Sequence, residues 1–89
     1  MRARPSEWRL PQPGESLAEY VRAARKGRRL SVDEMVRRTG LSSAALRKIE
    51  GGSTRNPGLF TLRPIWRTLI LPVAAFDRLP EPAGDRVTD

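Results

Sequence analysis

The chain has 89 residues and a formal net charge of +7, and it contains neither cysteine nor histidine. A chain of this length forms one small domain with a thin core and little room for an enclosed catalytic cavity. Without cysteine there are no disulfides and no thiol chemistry, and without histidine the commonest general base and metal ligand are missing. We therefore expect no metal, no cofactor and no enzymatic activity.

The positive charge is concentrated in the middle of the chain. Residues 1–14 carry a net charge of +2 and residues 79–89 carry −2, so residues 15–78 account for the whole +7. A compact basic domain is typical of proteins with an anionic partner, most simply nucleic acid. The alternative is a surface whose arginines only keep the protein soluble.

The two ends of the chain lack the periodicity of helices. Residues 1–14 contain three prolines, which favours a flexible N-terminal arm, and residues 79–89 are predicted to form a flexible C-terminal tail. Arg2 and Arg4 of the arm either enter a minor groove or have no fixed place. Trp8 docks either on the domain or on a partner.

Three helical patterns begin the central segment, and each has a serine at its start. The first pattern covers residues 16–26, with Ser16 as N-cap. The second covers residues 31–38 and begins with a Ser31–Glu34 capping box. The third covers residues 42–50, with Ser42 as N-cap. The inward stripes of these helices hold Leu17, Val21, Ala24, Met35, Val36, Ala45, Leu46 and Ile49.

Two further helical patterns end the segment. Because a proline is tolerated in the first turn of a helix, Pro64 predicts a fourth helix that starts with Thr61 as N-cap. A short fifth helix has Pro72 in its first turn and Phe76 facing inward. No segment alternates like a strand, so the predicted fold class is all-α.

The second and third helices form a helix-turn-helix pattern. Only Thr39, Gly40, Leu41 and Ser42 separate their apolar stripes. A connection this short, with a glycine at the bend and an apolar residue after it, makes two helices cross steeply. The outer face of the third helix then carries Ser43, Ala44, Arg47 and Lys48 at positions i, i+1, i+4 and i+5.

From about Leu17 to Phe76, the chain resembles the Cro and phage-repressor type of helix-turn-helix domain, often called the XRE family. The resemblance runs without a gap through GLSSAALRKIEGG and the Asn-Pro pair that follows. It implies a compact five-helix, lambda-repressor-like domain over residues 15–78. The implied function is a bacterial or phage transcriptional regulator, most simply a repressor, which binds double-stranded DNA as a homodimer. Such a protein is expected in the cytoplasm, associated with the nucleoid when bound and without a membrane partner, since no apolar run reaches the length of a span.

The resemblance also implies roles for individual residues. Ser42, Ser43, Ala44, Arg47 and Lys48 fall on the recognition helix, whose N-terminal part approaches base edges in the major groove. Arg55 and Asn56 fall in the loop that approaches the DNA backbone. Arg25 and Glu50 fall where the family often has a buried ion pair between the first and third helices. Val32 replaces a glutamine that often bonds a phosphate, so only the backbone amides at this helix start remain to do so.

Several of these assignments have alternatives. Ser42 is a helix cap that can also contact a phosphate. Arg28 contacts the DNA backbone, or it only stabilises the C-terminal end of the first helix. The small side chains at 43–45 offer few hydrogen bonds to bases. A second hypothesis is therefore a protein-interaction module, antitoxin-like or an adaptor, on the same fold.

Overall fold

The computed structural model describes residues 6–53 and 57–80, and within these ranges the chain forms five helices and no strand. Residues 1–5, 54–56 and 81–89 lie outside the described part, and with them Arg2, Arg4, Arg55, Asn56 and most of the C-terminal tail. The helices are α1 (Leu17–Gly27), α2 (Val32–Thr39), α3 (Ser43–Glu50), α4 (Leu59–Leu69) and α5 (Ala75–Arg78). The all-α, five-helix prediction is confirmed. None of the described helices is long and apolar enough to cross a membrane.

The starts of the first three helices follow the predicted serine caps. Ser16 and Ser31 each form a full capping box, with Glu19 and Glu34 as the reciprocal partners. The hydroxyl of Ser42 accepts a hydrogen bond from the amide of Ala45, 3.1 Å away. Each serine satisfies an amide that the first turn of its helix leaves unpaired, which fixes where α1, α2 and α3 begin.

The bend between α2 and α3 is built around Gly40. Its φ angle is +79°, in the left-handed region, and its amide donates to the carbonyl of Val36. The hydroxyl of Thr39 donates to the carbonyl of Met35 and accepts from the amide of Leu41, which turns the chain sharply. Leu41, which follows the bend, is partly buried and packs against the core.

Replacing Gly40 with alanine should lower the free energy of unfolding by about 1–2 kcal/mol, because a Cβ is strained at this φ angle. No atom of the described residues lies within 4 Å of a Cβ at this position, so the cost comes from the backbone alone. Gly40→Asn should cost less, because asparagine tolerates the left-handed region. Urea unfolding of both variants measures the difference, and equal losses would contradict the backbone explanation.

The core lies between α1, α2, α3 and α4. Helix α1 packs on α3 and α4, and α2 packs on the same two helices. The fully buried side chains include Tyr20, Val21, Met35, Leu46, Ile65 and Leu69. The sequence pattern does not predict the burial of Tyr20, which lies beside the expected stripe of Leu17, Val21 and Ala24. Its ring is buried while its hydroxyl donates to the carbonyl of Arg9 at 2.7 Å, so the polar atom of the Tyr20 side chain is satisfied.

Helix α4 begins three residues earlier than the sequence predicts. Gly58, not Thr61, is its N-cap, and it supplies no side-chain hydrogen bond. Pro64 therefore lies inside the helix and removes the hydrogen bond that would reach the carbonyl of Phe60. Because Phe60 is 82% exposed, water can take the place of that donor. Access of water to this turn reduces the cost of the missing hydrogen bond, and the packing of the helix offsets the rest.

Helix α5 is a single turn. The sequence predicts that Phe76 faces inward, and this prediction is wrong. Ala75 is the buried residue of this turn, whereas Phe76 remains 42% exposed and stacks on Trp66 with ring centroids 4.3 Å apart. Trp66 is buried and its indole N–H donates to the carbonyl of Pro72 at 3.0 Å. The core accommodates this large residue by placing the chain after α4 around its ring.

The N-terminal segment also differs from expectation, because residues 6–14 lie against the domain instead of forming a free arm. The amide of Trp8 donates to the carbonyl of Ile70 at 2.9 Å, and its ring packs against Gly27. The guanidinium groups of Arg28 and Arg9 lie 5.6 and 5.8 Å from that ring, at distances typical of cation–π contacts.

The N-terminal segment supports a strained residue. Ile70 ends α4 with a φ angle of +55°, which is rare for a β-branched side chain. Its carbonyl accepts from Trp8, and the carbonyl of Leu69 accepts from Arg28 at 2.8 Å. Arg28 also donates to the carbonyl of Ser6, so it joins the segment to the C-terminal ends of α1 and α4.

Replacing Gly27 with alanine should displace Trp8, because the new Cβ would overlap its indole ring. We expect the free energy of unfolding to fall by about 1–3 kcal/mol, as for overpacked sites. Tryptophan emission should move to longer wavelength as Trp8 becomes exposed to water. Gly58→Ala is the control, because no atom of the described residues lies within 4 Å of its Cβ position. An unchanged emission spectrum in Gly27→Ala would show that Trp8 is not held there.

Candidate nucleic-acid interface

Helix α3 has one buried and one exposed face, and the exposed face carries the predicted binding residues. Leu46 and Ile49 are buried in the core. On the other side, Ala44, Arg47 and Lys48 are exposed and Ser43 is partly exposed. Two small residues at the start of the helix are thus followed one turn later by two cations. Small side chains at the start of a helix let its backbone approach a binding surface closely. The two cations can then contact anionic groups of that surface.

The two cations of α3 are not neutralised within the described residues. The ion pairs found there join Arg9 to Glu15 and Arg25 to Glu50, so neither Arg47 nor Lys48 is paired with an acid. The first turn of α3 contains no acidic residue. The exposed face of α3 therefore presents positive charge, which favours an anionic partner.

An open groove of about 410 Å³ lies between α3 and the start of α4. Its lining combines the exposed side of α3 with the chain that enters α4: Ser42, Ala44, Ala45, Lys48, Ile49, Pro57, Gly58 and Thr61. The structure thus places Lys48 beside two hydroxyl side chains and the uncapped start of a helix. The sequence does not point to Pro57, Gly58 or Thr61 as site residues, because it does not show which side of α4 borders the groove.

The expected ion pair between α1 and α3 is present in the structure. Arg25 donates from Nε and Nη2 to the two carboxylate oxygens of Glu50, at 2.7 and 2.9 Å. The side chains are only 13% and 9% exposed. A third donor of Arg25, Nη1, reaches the carbonyl of Leu30 at 2.9 Å, so one guanidinium joins α1, the turn before α2 and the end of α3.

Comparison with protein-family models finds a match to the helix-turn-helix domain over residues 16–79, which cover all five helices. The chain belongs to the helix-turn-helix domain family. A search of curated proteins finds no significant match. The matched range begins at the cap of α1, so the packed N-terminal segment lies outside it. In helix-turn-helix domains that bind DNA, the second helix of the motif enters the major groove, and here that helix is α3.

The start of α2, where Val32 is predicted to lie near a phosphate, is acidic. Val32 is the first residue of α2 and is partly buried, and Asp33 and Glu34 put two carboxylates in the same turn. The amide of Ser31 donates to Glu34 and lowers the pKa of that carboxyl group, so Glu34 is charged at neutral pH. These charges oppose a phosphate at the start of α2.

Within the described residues, the side-chain contacts of Arg28 are with the N-terminal segment and the end of α4, and none of them is with α3. Its guanidinium donates to the carbonyls of Leu69 and Ser6, next to the Trp8 ring. These contacts give it a structural part in holding the N-terminal segment. Its DNA-contact role stays a prediction without support from this geometry. Arg55 and Asn56 fall between α3 and α4, outside the described residues.

Proposed function

We propose that this helix-turn-helix protein binds double-stranded DNA with α3 in the major groove, and that it acts as a transcriptional regulator of bacterial or phage type. The observation that carries the proposal is the exposed face of α3, where Ala44 is followed by Arg47 and Lys48, two cations that pair with no acid among the described residues. Phosphate contacts supply most of the affinity of such an interface, and base contacts supply the specificity.

Specificity in this proposal depends on few side chains. Arg47 supplies a guanidinium that can bond two acceptors of guanine, which contributes about 1–3 kcal/mol of discrimination. Ser43 and Ala44 are short, so they contact bases only if the helix lies deep in the groove, where an alanine methyl packs on a thymine methyl. Ser42 and Lys48 border the groove towards α4, and in this proposal they contact the DNA backbone.

We further propose that the protein binds as a homodimer and represses by occupying a two-fold symmetric operator. In this geometry two copies of α3 enter successive major grooves about one helical turn apart. Selection of bound sequences from a pool of random duplex DNA tests the proposal. The expected result is an enriched site with two inverted half-sites about 10 base pairs apart, centre to centre. A pool that stays random after several rounds would contradict specific binding.

A protein-interaction module is the second candidate function. It is favoured by Leu59 and Phe60 at the start of α4, which are 61% and 82% exposed. Large exposed apolar side chains next to each other often mark a contact with another protein. A purified partner that is retained by an Arg47→Met/Lys48→Met variant but lost by Phe60→Ser would support this candidate over the first.

A further inference from the structure

The C-terminal end of α3 is held by a residue from α1 that the sequence did not single out. A helix leaves the carbonyls of its last four residues without partners inside the helix. Three of these carbonyls in α3 accept from the chain that follows: Arg47 from Gly51, Lys48 from Ser53 and Ile49 from Gly52, at 2.8–3.2 Å. The fourth, that of Glu50, accepts from Nη1 of Arg22 at 2.9 Å.

Arg22 and Arg25 hold the same residue from two directions. They are three positions apart on α1 and therefore share a face of that helix. Arg22 bonds the backbone carbonyl of Glu50, while Arg25 bonds its carboxylate. The bond of Arg22 reaches the backbone at the end of α3 without passing through the χ angles of Glu50, whereas the bonds of Arg25 reach that backbone only through them. The positive charge of Arg22 also lies at the negative end of the helix dipole.

We propose that Arg22 is a positioning residue for the recognition helix: its bond to the Glu50 carbonyl sets the orientation of α3 relative to α1. The consequence for DNA binding rests on the proposed function. Arg47 and Lys48 lie in the last turn of α3, so a rotation of that turn moves both cations relative to the bases and phosphates. Arg22 thereby acts on specificity without a DNA contact of its own.

A first experiment tests the orientation without DNA. Residual dipolar couplings of backbone amides report the angle between α1 and α3 in the wild type, Arg22→Met, Arg22→Lys and Arg67→Met. Methionine keeps an unbranched side chain that suits a helix but removes the donors. We expect a changed angle in Arg22→Met, a near-wild-type angle in Arg22→Lys, and no change in Arg67→Met, the control at an exposed arginine of α4. An unchanged angle in Arg22→Met overturns the proposal. If Arg22→Met does not fold, Arg22→Gln takes its place and is judged by the same outcome.

A second experiment separates positioning from direct contact with phosphate. Affinities for a selected duplex and for a scrambled duplex are measured over a range of salt concentrations. A positioning residue predicts that Arg22→Met lowers the ratio of the two affinities about tenfold while the salt slope on the scrambled duplex is unchanged. A phosphate contact predicts the reverse: an unchanged ratio and a salt slope smaller by about 0.9, which would overturn the proposal. If the wild type binds neither duplex, the proposed function fails, while the dipolar couplings still decide the role of Arg22.

Discussion

Replacing Glu50 with leucine is expected to lower the free energy of unfolding by about 3–5 kcal/mol, because it leaves the guanidinium of Arg25 inside the protein without its carboxylate partner. The side chain of Arg25 is only 13% exposed, and the carbonyl of Leu30 would be its one remaining partner among the described residues. Small domains are stable by about 5–15 kcal/mol, so this loss is a large part of the total. Urea unfolding followed by far-UV circular dichroism measures it.

Two control variants show whether the loss comes from an uncompensated buried charge. Arg25→Met together with Glu50→Leu removes both charges and should recover much of the stability that the single replacement loses. Glu15→Gln breaks the more exposed ion pair with Arg9, whose side chain is 38% exposed, and should cost about 1 kcal/mol or less. A double variant as unstable as Glu50→Leu alone would show that the geometry of the pair, not the stranded charge, is what matters.

Replacing Arg47 and Lys48 together with methionine is expected to weaken binding to duplex DNA at least about tenfold. A good base contact alone contributes about 1–3 kcal/mol, and about 1.4 kcal/mol corresponds to a factor of ten. If one of the two cations contacts a phosphate, the log–log slope of affinity against salt should also become less steep by about 0.9. Fluorescence anisotropy of a labelled duplex over a range of salt concentrations measures both quantities.

The matched control is Arg37→Met/Arg38→Met. These two cations are also exposed, also adjacent, and also in the last turn of a helix, but that helix is α2. Removing them changes the net charge by the same amount without touching the exposed face of α3. Equal losses from the two pairs would indicate a general attraction between a basic protein and DNA, and would contradict a specific role of α3.

The parts of the fold that local chemistry determines were predictable from the sequence. These parts each depend on residues within one or two turns of each other. They are the serine caps, the left-handed glycine at position 40, and the buried faces of α2 and α3. The start of α4 was not predictable in this way. Gly58 has no capping side chain, and Pro64 is tolerated inside the helix because tertiary packing of Leu62, Ile65 and Trp66 outweighs the lost hydrogen bond.

The candidate site shows the same division. The exposed face of α3 follows from helix periodicity, which places Ser43, Ala44, Arg47 and Lys48 together on that face. The groove beside it depends on how α4 approaches α3, and the roles of Arg22 and Arg28 depend on carbonyls that lie 28 and 41 positions further along the chain. An arginine that bonds a distant carbonyl looks, in a sequence, like any other cation on a helix.

The most direct test of DNA binding is the salt dependence of wild-type affinity for duplex DNA. A basic domain that neutralises several phosphates releases the counterions held there, so the logarithm of affinity should fall linearly with the logarithm of salt concentration. We predict tight binding at low salt and a slope of about −4 or steeper, as about five phosphate contacts would give. A slope near zero, or no binding at low salt, would contradict the account of this protein as a DNA-binding regulator.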